Sequence, residues 1–154
     1  MSHLVTPPHA HPATPSSPAT TRLPWSTTGI LGGAAVLAVA VNALVAAIGV
    51  QTGADHAFGP LQLPVFGLFT VAGLLAGWVG WSMLLRRARQ PRTTLRIVVP
   101  VAVIASFTPD LVLLATRFIP HSNLAGVLAL MTMHLVVAVV GVPAYAAASH
   151  RRRR

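Results

Sequence analysis

Apolar residues run in four long blocks, about 27–50, 63–85, 97–118 and 124–148, and the charged residues fall almost wholly between them. No charge occurs between Arg22 and Asp55. A helix needs ~20 apolar residues to cross ~30 Å of hydrocarbon at ~1.5 Å per residue, and each block meets that length. The second block is entered through Gly59-Pro60 and Pro64 and stopped by Arg86-Arg87, and Ser122 or Asn123 is placed to cap the fourth. The pattern predicts an all-α fold, a four-transmembrane-helix bundle spanning 27–148. A Pro-rich tail (1–26) precedes it and a basic tail (149–154) follows.

The arginines alternate between the connecting segments. Arg22, Arg86, Arg87, Arg89, Arg92, Arg96 and Arg151 to Arg154 lie on the N-terminal, second-loop and C-terminal segments, and only Arg117 lies on the other side. The positive-inside bias then puts both termini and the loop 86–96 in the cytoplasm. Trp25, Trp78, Trp81 and Tyr145 fall at the same ends of their spans, where amphipathic rings favour the membrane interface. The outer segments, 51–62 and about 119–123, are too short for a folded external domain. The first block begins late and is too long for a cleaved signal peptide, so it reads as a signal anchor.

Composition sharpens this picture. Hydrophobic residues make up 54% and charged residues 8% of the chain, against ~25% charged in ordinary soluble domains. The formal charge of +9 is explained by the flanks of the spans rather than by nucleic acid. Arg86, Arg87, Arg151, Arg152, Arg153 and Arg154 are expected to contact anionic lipid at the cytoplasmic face. The absence of lysine and the weight of Ala, Val, Leu and Arg suggest a GC-rich bacterial genome, and hence the bacterial plasma membrane. No cysteine is present, which excludes disulfides and thiolate metal sites. Residues 1–24 hold six prolines and His3, His9 and His11; such a segment has little apolar surface to bury and is expected to be disordered.

Four polar groups interrupt the spans. Asn42, Thr70, Asp110 and His134 lie ~12, ~10, ~13 and ~15 Å from the outer ends of their blocks, at ~1.5 Å per residue, and so form one layer. Small residues share their helix faces, including Gly73, Gly77 and Gly141. Such residues mark where membrane helices approach closely, as in Gly73-x-x-x-Gly77. The layer is therefore expected inside the bundle. Asp110 and His134 can pair, and two readings follow: a proton relay or substrate-coupling site, or an interhelical bond that fixes register. Thr108-Pro109-Asp110 adds a helix-start signature, with threonine as cap, proline next and an acid in the first turn. It predicts a break or kink near Phe107, either a transport feature or an ordinary proline kink. Arg117 shares the Asp110 face and is expected to snorkel outward.

Enzyme motifs are missing: there is no Gly-x-Ser-x-Gly, no His-Glu-x-x-His, no phosphate loop and no glutamate at all. One intramembrane histidine cannot ligate a bis-histidine haem. Asp55, His56 and His121 on the outer segments have no diagnostic metal spacing. No catalytic residue, metal or cofactor is expected.

Val41-Asn42, the Gly-rich second span ending in Arg86-Arg87, Thr108-Pro109-Asp110, and Met133-His134-Leu135-Val136-Val137-Ala138 leading to Val142-Pro143 form a distinctive set. On these motifs the chain resembles a family of small, uncharacterised four-helix membrane proteins from high-GC actinobacteria. The resemblance covers about 27–148 and implies topology without an activity. The expected function is non-enzymatic, through self-association or an envelope partner. The alternative is a small transporter or proton-conducting subunit built on Asp110 and His134.

Overall fold

The computed structural model describes residues 25–151. The Pro-rich stretch with its histidines, and Arg152 to Arg154, lie outside the described residues, as do the side chains of Trp25, Ser26 and Arg151. Among the described residues the fold is all-α. Helix α1 runs Trp25–Gln51, a 3₁₀ turn covers Gly59–Leu61, and α2 runs Leu63–Arg87. Helices α3 (Pro91–Ser106) and α4 (Thr108–Thr116) follow, and α5 (Leu124–Arg151) closes the chain. Four helical stretches are long and apolar enough to cross a membrane: Thr27–Gln51, Leu63–Arg87, Pro91–Thr116 and Leu124–His150. The third of these combines α3 and α4.

Local chemistry sets the helix ends. The Ala54 N–H donates to the Gly49 carbonyl at 2.8 Å and the Gly53 N–H to the Val50 carbonyl at 3.2 Å. This is a Schellman termination, and it needs the positive φ of 111° that Gly53 adopts without a Cβ penalty. Asn123 caps α5, its Oδ1 accepting from the Gly126 N–H at 2.8 Å. Its Nδ2 donates to the Gly53 carbonyl at 2.7 Å, which ties the end of α1 to the start of α5.

The connection after α2 is shorter than the charge pattern suggests. Helix α3 starts at Pro91, so Arg92 and Arg96 are helical residues rather than members of a loop reaching to 96. Proline fits the first helical position, arginine is a good helix former, and its long stem lets the guanidinium reach polar surroundings.

Helices α1 and α5 pack most extensively against each other, with α2 against both and α4 on α5. Two apolar clusters fill the interior. One gathers Ala46, Phe58, Leu61, Phe66, Leu113, Val127, Ala129 and Met133, and Phe58 is fully buried. The other gathers Ala38, Leu74 and Tyr145, with Trp78, Trp81 and Val137 packed around it. Helix α3 differs from the rest, for none of its residues is buried.

Tyr145 takes a different place from the interfacial one expected of it. It is buried, and its hydroxyl donates to the Leu74 carbonyl at 2.6 Å. Gly77 and Gly141 make the room: a Cβ at Gly77 would lie 2.6 Å from the Tyr145 Oη, and one at Gly141 3.0 Å. Trp78 and Trp81 flank the ring, each with its centroid 5.9 Å away. A buried phenol needs a partner for its O–H, and a helix carbonyl left accessible by a glycine provides one.

Candidate functional site

The polar layer lies between the two apolar clusters. On α1, Asn42 sits one turn from Ala38 of one cluster and one turn from Ala46 of the other; on α2, Thr70 sits likewise between Leu74 and Phe66. The i, i+4 spacing of a helix puts each polar residue on the same face as its apolar neighbours. All of Asn42, Thr70 and Asp110 are buried, with Asn42 at 0% exposure.

The four residues resolve into two contacts. Asn42 Nδ2 donates to Thr70 Oγ1 at 2.7 Å, joining α1 to α2. His134 Nδ1 lies 3.1 Å from Asp110 Oδ2, joining α5 to α4. Both are direct side-chain contacts. Neither pair satisfies its members completely, because Asn42 Oδ1 and Asp110 Oδ2 have no aligned hydrogen-bond donor. For Asp110 this means that His134 stands at ion-pair distance but outside hydrogen-bond alignment. The reason is local: His134 Nδ1 is also 2.9 Å from the Leu130 carbonyl. That carbonyl can only accept and Nδ1 carries at most one hydrogen, so the hydrogen belongs largely to the helix-borne contact.

The break in the third span positions Asp110. Phe107 separates α3 from α4 and stays in the right-handed helical region, with φ −78° and ψ −14°. The chain therefore kinks rather than unwinds. Phe107, not Thr108, occupies the cap position, and no side chain caps the start of α4. Pro109 falls in the first turn, where its missing N–H costs nothing within α4 but leaves the Ala105 carbonyl without its helical donor. Asp110 is an acid in that first turn, where the helix dipole favours negative charge. Phe107 itself meets the His134 ring edge-on, centroids 6.3 Å apart at 88°. The imidazole is thus held between the carboxylate and the aromatic ring on either side of the kink, with its side chain 36% exposed.

The glycines singled out in the sequence separate in their roles. Gly77 and Gly141 receive Tyr145, whereas at Gly73 a Cβ would make only ordinary contact, 3.7 Å from Val137. Two further glycines are tight: Gly49, which shares the small-residue face of Asn42, and Gly126, which the sequence reading did not mark. A Cβ at Gly49 would lie 2.9 Å from the Ala129 Cβ, and one at Gly126 2.9 Å from the Phe58 ring. Phe58 lies in a segment of mixed polarity, and only its packing distinguishes it from a loop residue. Gly29, Gly32 and Gly33 have nothing within 4 Å of the position a Cβ would take.

At the end of the bundle away from the Arg86-Arg87 pair, Asp55 and His121 meet, Oδ2 to Nδ1 at 2.9 Å. Asp55 Oδ1 accepts from the Ala57 N–H at 2.8 Å. That backbone bond, with help from His121, holds the Asp55 carboxyl below its usual range. Among the described residues no three His, Cys, Asp or Glu side chains gather as metal ligands. Arg117 is exposed and ends α4 in the left-handed region, at φ 52°. Arg86 and Arg87 are exposed in the last turn of α2, where cations complement the helix dipole.

No curated protein and no solved structure matches the chain. A family model described as "Family of unknown function (DUF6069)" matches residues 20–151. That match takes in the four apolar helices, the polar layer and the kink at Phe107, and the chain therefore belongs to the DUF6069 family.

Proposed function

We propose that this chain is a multi-pass protein of the bacterial cell membrane, with both termini cytoplasmic, that has no catalytic activity and acts by packing against further membrane helices. The observation that carries the reading is a set of helix faces on which no described residue packs. Gly29 and Gly33 stand one turn apart on α1 with open space above both. A Gly-x-x-x-Gly pair of this kind lets a second helix approach closely, and van der Waals packing drives such association in lipid. The absence of buried residues in α3 points the same way. Inside the bundle, the direct contacts Asn42–Thr70 and Asp110–His134 suit a role in fixing register. The actinobacterial origin belongs to the same reading.

The test is crosslinking in native membranes, with detergent sizing of the purified chain. Oligomers that Gly29→Leu and Gly33→Leu abolish support the reading. Monomers throughout, with no co-purifying membrane protein, refute it.

A second reading, a small transporter or proton-conducting subunit, has one observation in its favour. An ionisable pair faces a kinked helix in mid-span, where intramembrane acids and histidines commonly serve ion pathways. Liposome flux separates the two. Wild-type proton flux lost in both Asp110→Asn and His134→Ala supports conduction, and equal flux in all three chains removes it.

A further inference from the structure

The geometry points to a binding site for one anionic phospholipid in the groove between α2, α3 and α5, at the arginine-rich end. The short connection after α2 brings α3 back beside the bundle without packing it down. A cavity of about 760 Å³ opens there, lined by Trp81, Arg92, Arg96, Val99, Val142 and His150 among others. Its size falls within the ~300–1,000 Å³ common for ligand pockets. This site lies apart from the Gly29–Gly33 face of α1 and does not depend on self-association there.

Charge complementarity identifies the occupant. Arg92 and Arg96 are one turn apart on the first two turns of α3 and both line the groove. The chain holds only two acids. Asp55 is engaged by His121 at one end and Asp110 by His134 in mid-span. No described acidic side chain stands against the two guanidiniums, so an anion entering the groove meets positive charge that no described acid offsets. Guanidinium forks bind phosphate oxygens in bidentate fashion, and a pair one turn apart suits a phosphodiester. Trp81 is already committed, donating from Nε1 to Ser149 Oγ at 3.0 Å, and so serves as a wall rather than a ligand.

The apolar lining makes that anion a lipid. From the arginines the walls continue toward mid-span through Val99 and Pro100 on α3 and through Ala146 and Val142 on α5. A soluble phosphate would leave those walls unfilled, whereas an acyl chain covers them. Pro100 adds a polar point inside the groove: it has no N–H, so the Arg96 carbonyl lacks its helical donor. A glycerol hydroxyl of the headgroup can donate to it. These features fit phosphatidylglycerol, with its phosphate on Arg92 and Arg96 and one chain along Val99 and Val142.

Trp81 gives the readout. The full chain in neutral detergent is titrated with brominated phosphatidylglycerol or brominated phosphatidylcholine, and tryptophan quenching is followed. Trp81→Phe isolates the groove signal. Saturable quenching by the anionic lipid, at roughly 30-fold lower lipid fraction than by the zwitterionic one, is expected from two arginines. Arg92→Gln/Arg96→Gln should erase that preference. Arg86→Gln/Arg87→Gln, which removes the same charge at the end of α2, should keep it. Equal quenching by the two lipids overturns the assignment, as does equal loss in both double variants, which would mean only diffuse surface attraction. Quenching unchanged in Trp81→Phe places the lipid elsewhere. Full competition by glycerol phosphate makes the site one for a soluble anion. A Trp81 signal that follows protein concentration instead of lipid means that a second copy fills the groove.

Discussion

Replacing Thr70 with valine keeps the shape of the side chain and removes the oxygen that Asn42 uses. The Asn42 Nδ2 now donates to Thr70 Oγ1 at 2.7 Å, and the amide is fully buried with its Oδ1 already unpartnered. In Thr70→Val both ends of that amide would be orphaned among apolar side chains. Leaving one buried donor unsatisfied costs about 1–3 kcal/mol. Side-chain hydrogen bonds between membrane helices average nearer ~0.6 kcal/mol, with a maximum of ~1.7. Because this amide is fully buried, a loss of about 1–2 kcal/mol is expected for Thr70→Val. Asn42→Leu has the same heavy-atom branching and removes the amide altogether. The Thr70 hydroxyl left behind can bond back to its own helix, so this change should cost less than about 1.5 kcal/mol. The double variant should then be no worse than Thr70→Val alone, giving a favourable coupling of about 0.6–1.7 kcal/mol. Reversible unfolding in mixed micelles, followed by tryptophan fluorescence across the four chains, measures it. Additivity to within about 0.3 kcal/mol would show that the pair does not interact, and the layer would lose its role in register.

The remaining predictions probe the bundle at other points. Gly77→Ala drives a Cβ to 2.6 Å from the Tyr145 Oη, which overpacks the site and disturbs the bond to Leu74, costing about 1–3 kcal/mol in the same unfolding assay. Gly80→Ala on the same helix meets open space and should be stabilising by about 0.5–1 kcal/mol; similar losses in the two variants would rule out the Tyr145 contact. Arg117→Gly relieves a left-handed residue at φ 52° and should stabilise by up to about 1 kcal/mol, whereas Arg117→Ala should bring no gain. The Asp55 carboxyl is held below its usual value of 3.8, so the stability it lends to the segment around Ala57 is present above pH 3.8. It is lost as pH falls through the lower folded value, because protonation removes the acceptor. Nuclear magnetic resonance of the Ala57 amide should show that transition below pH 3.8 in the wild type and none in Asp55→Asn.

Much of the architecture is legible without coordinates, and the reason is length. A run of ~20 apolar residues has few alternatives to a helix, because hydrocarbon leaves no water to satisfy backbone groups. The positions of α1, α2 and α5 follow directly. Asn42, Thr70, Asp110 and His134 are conspicuous as polar residues in apolar blocks, and their depth along each helix follows from the rise per residue. Pro109 marks the kink, since a missing N–H acts on the helix that contains it. An acid and a histidine at similar depth already suggest the Asp110–His134 pair, but that Asn42 joins Thr70 follows only from how the helices rotate and pair. Helix rotation is set by side-chain packing, which composition does not record.

The same limit accounts for what the sequence left unseen. Tyr145 near a span end reads as an interfacial ring, yet Gly77 and Gly141 open a place for it against the Leu74 carbonyl. Arg92 and Arg96 read as loop charges, but a proline start and a three-residue connection put them on α3, facing a groove. Hydrophobic length and backbone chemistry act locally, so the residue pattern alone specifies the four apolar helices and the kink. The Asn42–Thr70 bond, the buried tyrosine and the cationic groove come from tertiary packing, because they depend on which faces meet and which are held apart.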